Sequence, residues 1–162
     1  KNTLTAATTL ISILGLNGNT DVMYRLRVKY ISAVATNNPP YWYFNDDQEL
    51  HYGYQGLYGI DNAAGAVRGV YNYYTTVNML PYPAIGSIDM LDTIIYAKSG
   101  YVRTSITEAT TAISTTTVSG IGIYGYTWSD TTTNISRIDI GASQSNGMGI
   151  GTEIILERLI PS

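Results

Sequence analysis

The chain has 162 residues, of which 44% are hydrophobic and 13% charged, with a net charge of −3. Charged residues are about half as frequent as usual, and the basic ones are scattered rather than grouped, so nucleic-acid binding is not expected. There is no cysteine, which excludes disulfides, thiolate metal sites and a cysteine nucleophile. The length predicts a single domain over residues 1–162.

Nothing in the sequence has the pattern of a signal peptide or a membrane span. Residues 109–129 carry no charge, but threonine, serine and glycine interrupt the stretch, so it fails as a continuous apolar span. We therefore expect no membrane contact. Because the chain starts with Lys1, we expect it to be processed or to be part of something longer.

The first third of the chain predicts strands separated by turn signals. Residues 8–14 are rich in β-formers, and Asn-Gly-Asn at 17–19 is a strong turn signal. Residues 22–34 follow as a long strand whose side chains alternate clearly. The predicted core face consists of Tyr24, Leu26, Val28 and Tyr30. The predicted outward face consists of Arg25, Arg27 and Lys29.

The middle of the chain predicts shorter strands and more connectors. Residues 41–44 form a short aromatic strand, and residues 51–54 are extended. We interpret the glycine-containing residues 55–66 as a loop, residues 67–77 as a strand, and the proline-containing residues 79–85 as a connector.

The last part of the chain predicts a hairpin of residues 87–96 and 101–112, then a strand at 119–128 that its glycines would bulge or pack closely. Two further strands, 134–140 and 152–159, flank a flexible loop at 141–151, and we expect them to close the fold as its final pair. The total is eight to ten strands and no confident helix, because the apolar runs are rich in β-branched residues. We predict an all-β protein, an antiparallel two-sheet β-sandwich of the jelly-roll type.

The C-terminal segment resembles the ends of jelly-roll domains on tailed-phage virion proteins, which close with a pattern like ITSI.I.S....IG.GS.I.LYR. Residues 134–140, 149–152 and 154–158 occupy the equivalent places. The sequence departs from the pattern at Glu157, where the family places a tyrosine.

Further segments resemble the same phage domains, in the same order along the chain. Residues 9–19 look like the family's opening ITGLDGN, and residues 24–29 look like its first core strand. Residues 43–47 together with Tyr52 look like its RFNGDSG.NY region. The resemblance implies a virion-surface (extracellular) location, on the capsid as a decoration or in a fibre or tail appendage. It also implies a role based on shape and contact, with other virion proteins and further copies of the chain as partners.

An aromatic block is the main candidate for a contact site. Nine tyrosines, Trp42 and Phe44 lie between positions 41 and 82. Such side chains suit cross-strand packing and subunit contacts, and an exposed set would also provide ring faces for stacking on sugars. The candidate residues for subunit contact or ligand binding are Tyr41, Trp42, Tyr43, Tyr52, Tyr54, Arg25 and Arg27. If the block is core, the contact role would pass to the loops at 55–66 and 141–151.

Catalytic and metal-binding residues are not expected. Asp46, Asp47 and Glu49 form a local acidic cluster, but its spacing matches no EF-hand loop, and aspartates of this kind commonly stabilise turns. His51 is the sole histidine, so a zinc site would need unusual ligands. A Ser-His-Asp triad is defined by geometry alone and stays open, although no Gly-x-Ser-x-Gly motif supports it.

Two functions follow, and they are not exclusive. The first is a non-enzymatic structural protein of a tailed-phage virion that acts through subunit contacts, without cofactors. The alternative is a carbohydrate-binding module or receptor-binding tip that recognises a host-surface glycan through exposed aromatics. We expect no enzymatic activity, since there is no cysteine, one histidine and no paired acid motif.

Overall fold

A computed structural model describes residues 1–36, 38–61, 63–72, 75–76, 85–114 and 117–159, with the backbone alone for 70–72 and 75–76. Over these residues the protein is almost entirely β-structure, with one short helix, α1 (Gly18–Asp21). None of the helical structure in these ranges is long and apolar enough to cross a membrane. The strands are β1 Asn2–Thr3, β2 Leu10–Leu14, β3 Met23–Ile31, β4 Pro40–Phe44, β5 Tyr52–Ile60, β6 Ala63–Asn72, β7 Thr75–Thr76, β8 Ile88–Tyr96, β9 Arg103–Ala112, β10 Val118–Trp128, β11 Arg137–Ala142 and β12 Glu153–Arg158.

The strands form two antiparallel sheets, and the predicted fold class is confirmed. The larger sheet has the order β1-β12-β3-β8-β9-β10-β5-β6, and the smaller one has the order β2-β11-β4-β7. The chain crosses repeatedly from one sheet to the other, and near its end β11 inserts between the early strands β2 and β4. This is the jelly-roll arrangement, in which the β8–β10 meander occupies the place of a single strand.

The alternation in β3 is confirmed as predicted. Tyr24, Leu26, Val28 and Tyr30 are at most 1% exposed, while the alternate residues Arg25, Arg27 and Lys29 are partly exposed. The neighbouring strands β8 and β9 repeat the period of two. The larger sheet therefore has one face toward the sandwich core and one face away from it.

Two sequence interpretations need correction. Residues 55–66 are not a loop: β5 extends to Ile60 and β6 begins at Ala63, with Asp61 at the turn in the left-handed region. Glycine at 53, 56, 59 and 65 obscured the strand pattern, yet Gly56 lies where a Cβ would overlap the Tyr124 ring. The predicted connector at 79–85 lies outside the described residues except for Ile85.

The second correction concerns the C-terminal strands. β11 and β12 do not pair with each other, because β11 lies between β2 and β4 in the smaller sheet, whereas β12 pairs with β3 in the larger one. The connection between them crosses the sandwich and is anchored by Met148, which is fully buried and bridges to Thr8 and Ser32. The last two strands therefore close both sheets rather than one hairpin.

The core is mainly aromatic at one end of the sandwich. Trp42 and Phe44 of the smaller sheet pack against Tyr126 and Trp128 of the larger sheet, with ring centroids 5.6 and 5.2 Å apart. Tyr52 stacks on Trp128 at 6.5 Å. Edge and offset contacts of this kind add to the stabilisation from burial, so these rings hold the two sheets together.

Candidate functional site

The most distinctive surface is the outer face of the larger sheet, formed by the outward-pointing side chains of β3, β8, β9, β10 and β5. Strand periodicity puts alternate residues on each face, and the core face takes the aromatic and small polar residues. The alternate residues of the same strands lie on the outer face, and they include several large β-branched side chains. We call this surface the outer face throughout.

One half of the outer face is apolar and exposed. Its five large side chains are between 49% and 66% exposed, and they are Leu57, Met90, Ile106, Ile121 and Ile123. Leu57 lies directly opposite Ile123 in the β5–β10 ladder, and Ile121 lies two residues along the same strand. Leu57, Ile121 and Ile123 therefore adjoin one another, whereas Thr110 lies between Met90 and Ile121, and Glu108 lies opposite Ile123. Single exposed apolar residues are common on proteins, but an adjoining group indicates an interaction surface.

Four of the five apolar side chains, all except Ile106, line a depression of about 680 Å³. Small residues, including Gly59 and Ala64, form part of its lining, while Arg27, Asp92 and Glu108 lie along its charged side. An apolar centre bordered by charges is typical of protein–protein contact surfaces. The depression has the shape and composition to accept an apolar side chain from another molecule.

The other half of the outer face is charged and internally paired. Arg25 Nε donates to Asp92 at 2.9 Å, and Arg27 lies 2.8 Å from Glu157. The hydrogen bond from Arg25 lowers the pKa of Asp92 below its ordinary value. Both signs of charge alternate here, so this half presents no net field of one sign to attract a polyanion.

The predicted contact residues Arg25 and Arg27 therefore do lie on the outer face, as the alternation of β3 predicted. Each arginine donates to a carboxylate on a neighbouring strand, Arg25 to Asp92 on β8 and Arg27 to Glu157 on β12. Arg27 also borders the depression next to the apolar half. The structure thus brings one of the predicted basic residues beside a surface that the sequence analysis did not identify.

The aromatic candidates lie elsewhere, and three of them are core residues. Trp42, Tyr43 and Tyr52 are at most 2% exposed. The Tyr52 hydroxyl accepts a hydrogen bond from the Phe44 backbone N–H at 2.9 Å. Burial raises the pKa values of Tyr43, to about 12, and of Tyr52. Of the two interpretations that the sequence left open, cross-strand packing describes these three residues, and none of them offers an exposed ring face.

Tyr41 and Tyr54 are half-buried and also take part in packing. Tyr41 stacks on Tyr43 with centroids 6.0 Å apart, and it covers Gly141, where a Cβ would overlap its ring. Tyr54 packs against Tyr126 at 6.2 Å on the core side of β5. The five aromatic candidates therefore belong to two sheets and do not form one site.

The acidic cluster is part of a turn, as the sequence suggested. Asn45 and Asp46 have positive φ angles, and Asp47 Oδ1 accepts the Glu49 backbone N–H at 3.0 Å. Within the described ranges, no group of three or more histidine, aspartate and glutamate side chains is arranged to hold a metal ion.

His51 contacts Asp47, with Nδ1 2.8 Å from Oδ2. The Trp128 indole N–H donates to the same carboxylate oxygen at 2.6 Å. The hydrogen bond to Asp47 raises the pKa of His51 above its ordinary value. Burial opposes ionisation of Asp47, but hydrogen bonds from His51, the Glu49 N–H and Trp128 lower its pKa overall. This contact ties the β4–β5 turn to the aromatic core.

Sequence reasoning missed the apolar half of the outer face for a physical reason. Between residues 120 and 126 of β10, both alternate sets are hydrophobic or glycine, so the periodicity does not reveal which face is buried. Leu57 was also hidden in a segment interpreted as a loop. The available signal was the stretch of β-branched residues at 121 and 123 opposite an equally apolar partner strand.

Comparisons with known proteins give no further guidance: no protein-family model, curated protein or solved structure matches the chain.

Proposed function

We propose that this protein is a non-enzymatic structural protein of a tailed-phage virion, located on the capsid surface or in a fibre or tail appendage. It acts through contacts with other subunits, both further copies of itself and other virion proteins. The ordered sequence resemblance supports the virion part of the proposal. The apolar half of the outer face is the single observation that supports the contact role.

The physical argument is that exposed apolar area is costly to leave in water. Fully burying a side chain of this type contributes about 1.5–3 kcal/mol. Leu57, Ile121 and Ile123 adjoin one another and supply a hydrophobic centre, and the charged residues beside them supply a polar rim. The glycan-binding alternative depended on accessible rings, and Trp42, Tyr43 and Tyr52 do not provide them.

The contact role is tested with lysine substitutions on the outer face. Leu57→Lys and Ile123→Lys place charges in the apolar half, and we expect either change to reduce the largest assembly seen by sedimentation velocity. Ile150→Lys is the matched control, because Ile150 is as exposed as Leu57 (66%) but lies in the connection between β11 and β12. Equal behaviour of all three variants and the wild type would contradict the contact role.

The virion location needs a separate measurement. An antibody raised against the purified chain should label intact particles in electron micrographs of a phage lysate that carries its gene. Labelling confined to debris, or a chain that turns over a defined substrate as a monomer, would overturn the proposal.

A further inference from the structure

β2 is an edge strand without the usual protection against pairing. Within the described residues it pairs with β11 alone, in an uninterrupted register. No charged residue occurs between Lys1 and Asp21, so β2 and its flanks are uncharged. Monomeric proteins usually blunt such edges with lysine, proline, a bulge or a covering segment. The sequence Leu-Ile-Ser-Ile-Leu of β2 contains none of the first three.

The register of the β2–β11 hydrogen bonds directs the backbone N–H and C=O groups of the even-numbered β2 residues away from β11. The Ala142 N–H donates to the Thr9 carbonyl at 2.9 Å, in register with the β2–β11 ladder. Hydrogen-bonded pairs alternate along an antiparallel ladder. It follows that Ile11 and Ile13 bond to β11, and that the backbone groups of Leu10, Ser12 and Leu14 point away from it.

These outward groups can serve a second strand. The Leu10 carbonyl accepts a hydrogen bond from the Thr8 hydroxyl at 3.2 Å, and a carbonyl has a second lone pair. The side chains of Ser12 and Leu14 are exposed. The edge thus offers donors and acceptors at three alternate positions.

The sequence of β2 reads the same in both directions around Ser12. In an antiparallel pair of two copies related by a two-fold axis at this residue, Ser12 faces the other Ser12. Each Leu10 then faces a Leu14, and each Ile11 faces an Ile13. A two-fold interface must be self-complementary, and a palindromic strand meets that requirement at every position.

The side chains on both faces of such a strand pair would also make apolar contacts between the two copies. Ile11 and Ile13 line a cleft of about 660 Å³ at the open side of the sandwich, together with Ile154 and Leu156. All four are half-buried or buried in one copy. A second β2 would cover the open side of this cleft. On the opposite face, the exposed Leu14 would pack against a leucine of the other copy.

We propose that the occupant of the β2 edge is the β2 strand of a second copy of this chain, paired antiparallel with Ser12 opposite Ser12. The two smaller sheets then join into one continuous sheet across the two-fold axis. A different protein as occupant would not require the palindrome, which is why the observations favour a second copy. The inference rests on the proposed assembly function and names one of its contacts, on the layer opposite the outer face.

The first experiment separates this contact from the outer face. Leu14→Lys places a charge on the β2 edge, whereas Leu57→Lys makes the same change on the outer face at nearly equal exposure, 68% against 66%. We expect the wild type to contain a dimer by sedimentation velocity, and Leu14→Lys to weaken its association at least tenfold. Leu57→Lys should keep that dimer and lose only the larger assemblies.

The second experiment tests the register by cross-linking. The chain has no cysteine, so a single introduced cysteine can form a disulfide only between copies. Facing residues of a hydrogen-bonded pair have Cα atoms about 5.5 Å apart, within disulfide range. Ser12→Cys should therefore cross-link under oxidation. Leu14→Cys should not, because in this register the two 14 positions are offset by four residues, roughly 13 Å along the strand.

The outcomes are distinguishable from those of the proposed function. A wild type without a dimer, a dimer that survives Leu14→Lys, or cross-linking of Leu14→Cys in place of Ser12→Cys would overturn the β2 pairing. None of these results bears on the outer face, which Leu57→Lys tests alone. Because Ser12 Oγ lies 2.5 Å from Asp139 Oδ1, thermal unfolding of Ser12→Cys serves as the folding control. If Ser12→Cys misfolds, a chain that carries both Leu10→Cys and Leu14→Cys takes its place, because residue 10 of one copy faces residue 14 of the other in the same register.

Discussion

Asp89 should make this protein less stable as the pH rises from about 4 to 6. Its carboxyl group is 1% exposed on the core side of β8, where Thr111 Oγ1 donates to Oδ1 at 2.5 Å. Burial raises the pKa of Asp89 from 3.8 to about 6, and the hydrogen bond from Thr111 partly offsets that rise. Tyr30 faces Asp89 across the β3–β8 ladder.

The direction and size of the effect follow from proton linkage. Below pH 3.8 the folded and unfolded states both carry the proton on Asp89. Between pH 3.8 and about 6 the folded state keeps the proton while the unfolded state loses it, so the free energy of unfolding falls as the pH rises. Each tenfold difference in proton affinity corresponds to about 1.36 kcal/mol, which gives a loss of about 3 kcal/mol by pH 7.

Other carboxylates act in the opposite direction, so the measurement must isolate Asp89. Four buried or paired aspartates have lowered pKa values and stabilise the fold as the pH rises: Asp21, Asp47, Asp92 and Asp130. These contributions are the same in wild type and in Asp89→Asn. They therefore cancel in the difference between the two free energies of unfolding, measured in urea at each of several pH values. We expect the stability of Asp89→Asn relative to wild type to rise by about 3 kcal/mol between pH 3.8 and 7.

Thr111→Val provides the second variant for this experiment. It removes the hydroxyl group that favours the ionised form, so the pKa of Asp89 should rise further and the pH window should extend upward. Parallel stability curves for wild type and Asp89→Asn across this pH range would refute the reasoning. They would mean that water or a neighbouring group compensates the buried charge.

Three further outcomes can be measured on the same material. Leu26→Ala should lower the free energy of unfolding by about 2–5 kcal/mol in urea, because Leu26 is 1% exposed, whereas Leu57→Ala should change it by less than about 0.5 kcal/mol. Trp42→Ala should cost about 3–5 kcal/mol in the same assay, so a variant with unchanged stability and altered assembly would contradict its core position. In an NMR titration, the pKa of His51 should lie above 6.5 and should fall in Asp47→Asn, since the hydrogen bond to Asp47 raises it; no change would exclude that contact in solution.

Sequence reasoning succeeded where one face of a strand is polar and the other is not. β3 shows this best, because Arg25, Arg27 and Lys29 separate four core residues and set the register. The β8–β9 hairpin was also correctly predicted around Gly100, which has a positive φ angle. In both cases local alternation and turn chemistry agree with the final packing.

Sequence reasoning failed where neighbouring strands supply the missing information. β5 has glycines on both faces, and it is a strand because it pairs with β10 on one side and β6 on the other, with the Tyr124 ring lying over Gly56. The sequence left open whether one face of the aromatic strand β4 is exposed. In the structure Tyr43 on that face is buried, because Tyr41 stacks on it and Asp139 lies beside it in β11. Burial of both faces of β4 depends on which strand lies next to it, and no local pattern specifies that neighbour.

The two proposed surfaces lie on different layers of the sandwich, and this determines how they could combine. A two-fold pairing through β2 closes on itself and stops at a dimer. The outer face belongs to the larger sheet, so both copies of such a dimer keep it available for other subunits. An assembly built from both contacts would therefore grow through the outer face while the β2 pair stays fixed. The β2 contact combines backbone hydrogen bonds with cross-strand apolar pairs, whereas the outer face relies on apolar burial beside charges already paired within the chain. We therefore expect the outer-face contacts to dissociate first under increasing dilution, and the β2 dimer to dissociate last.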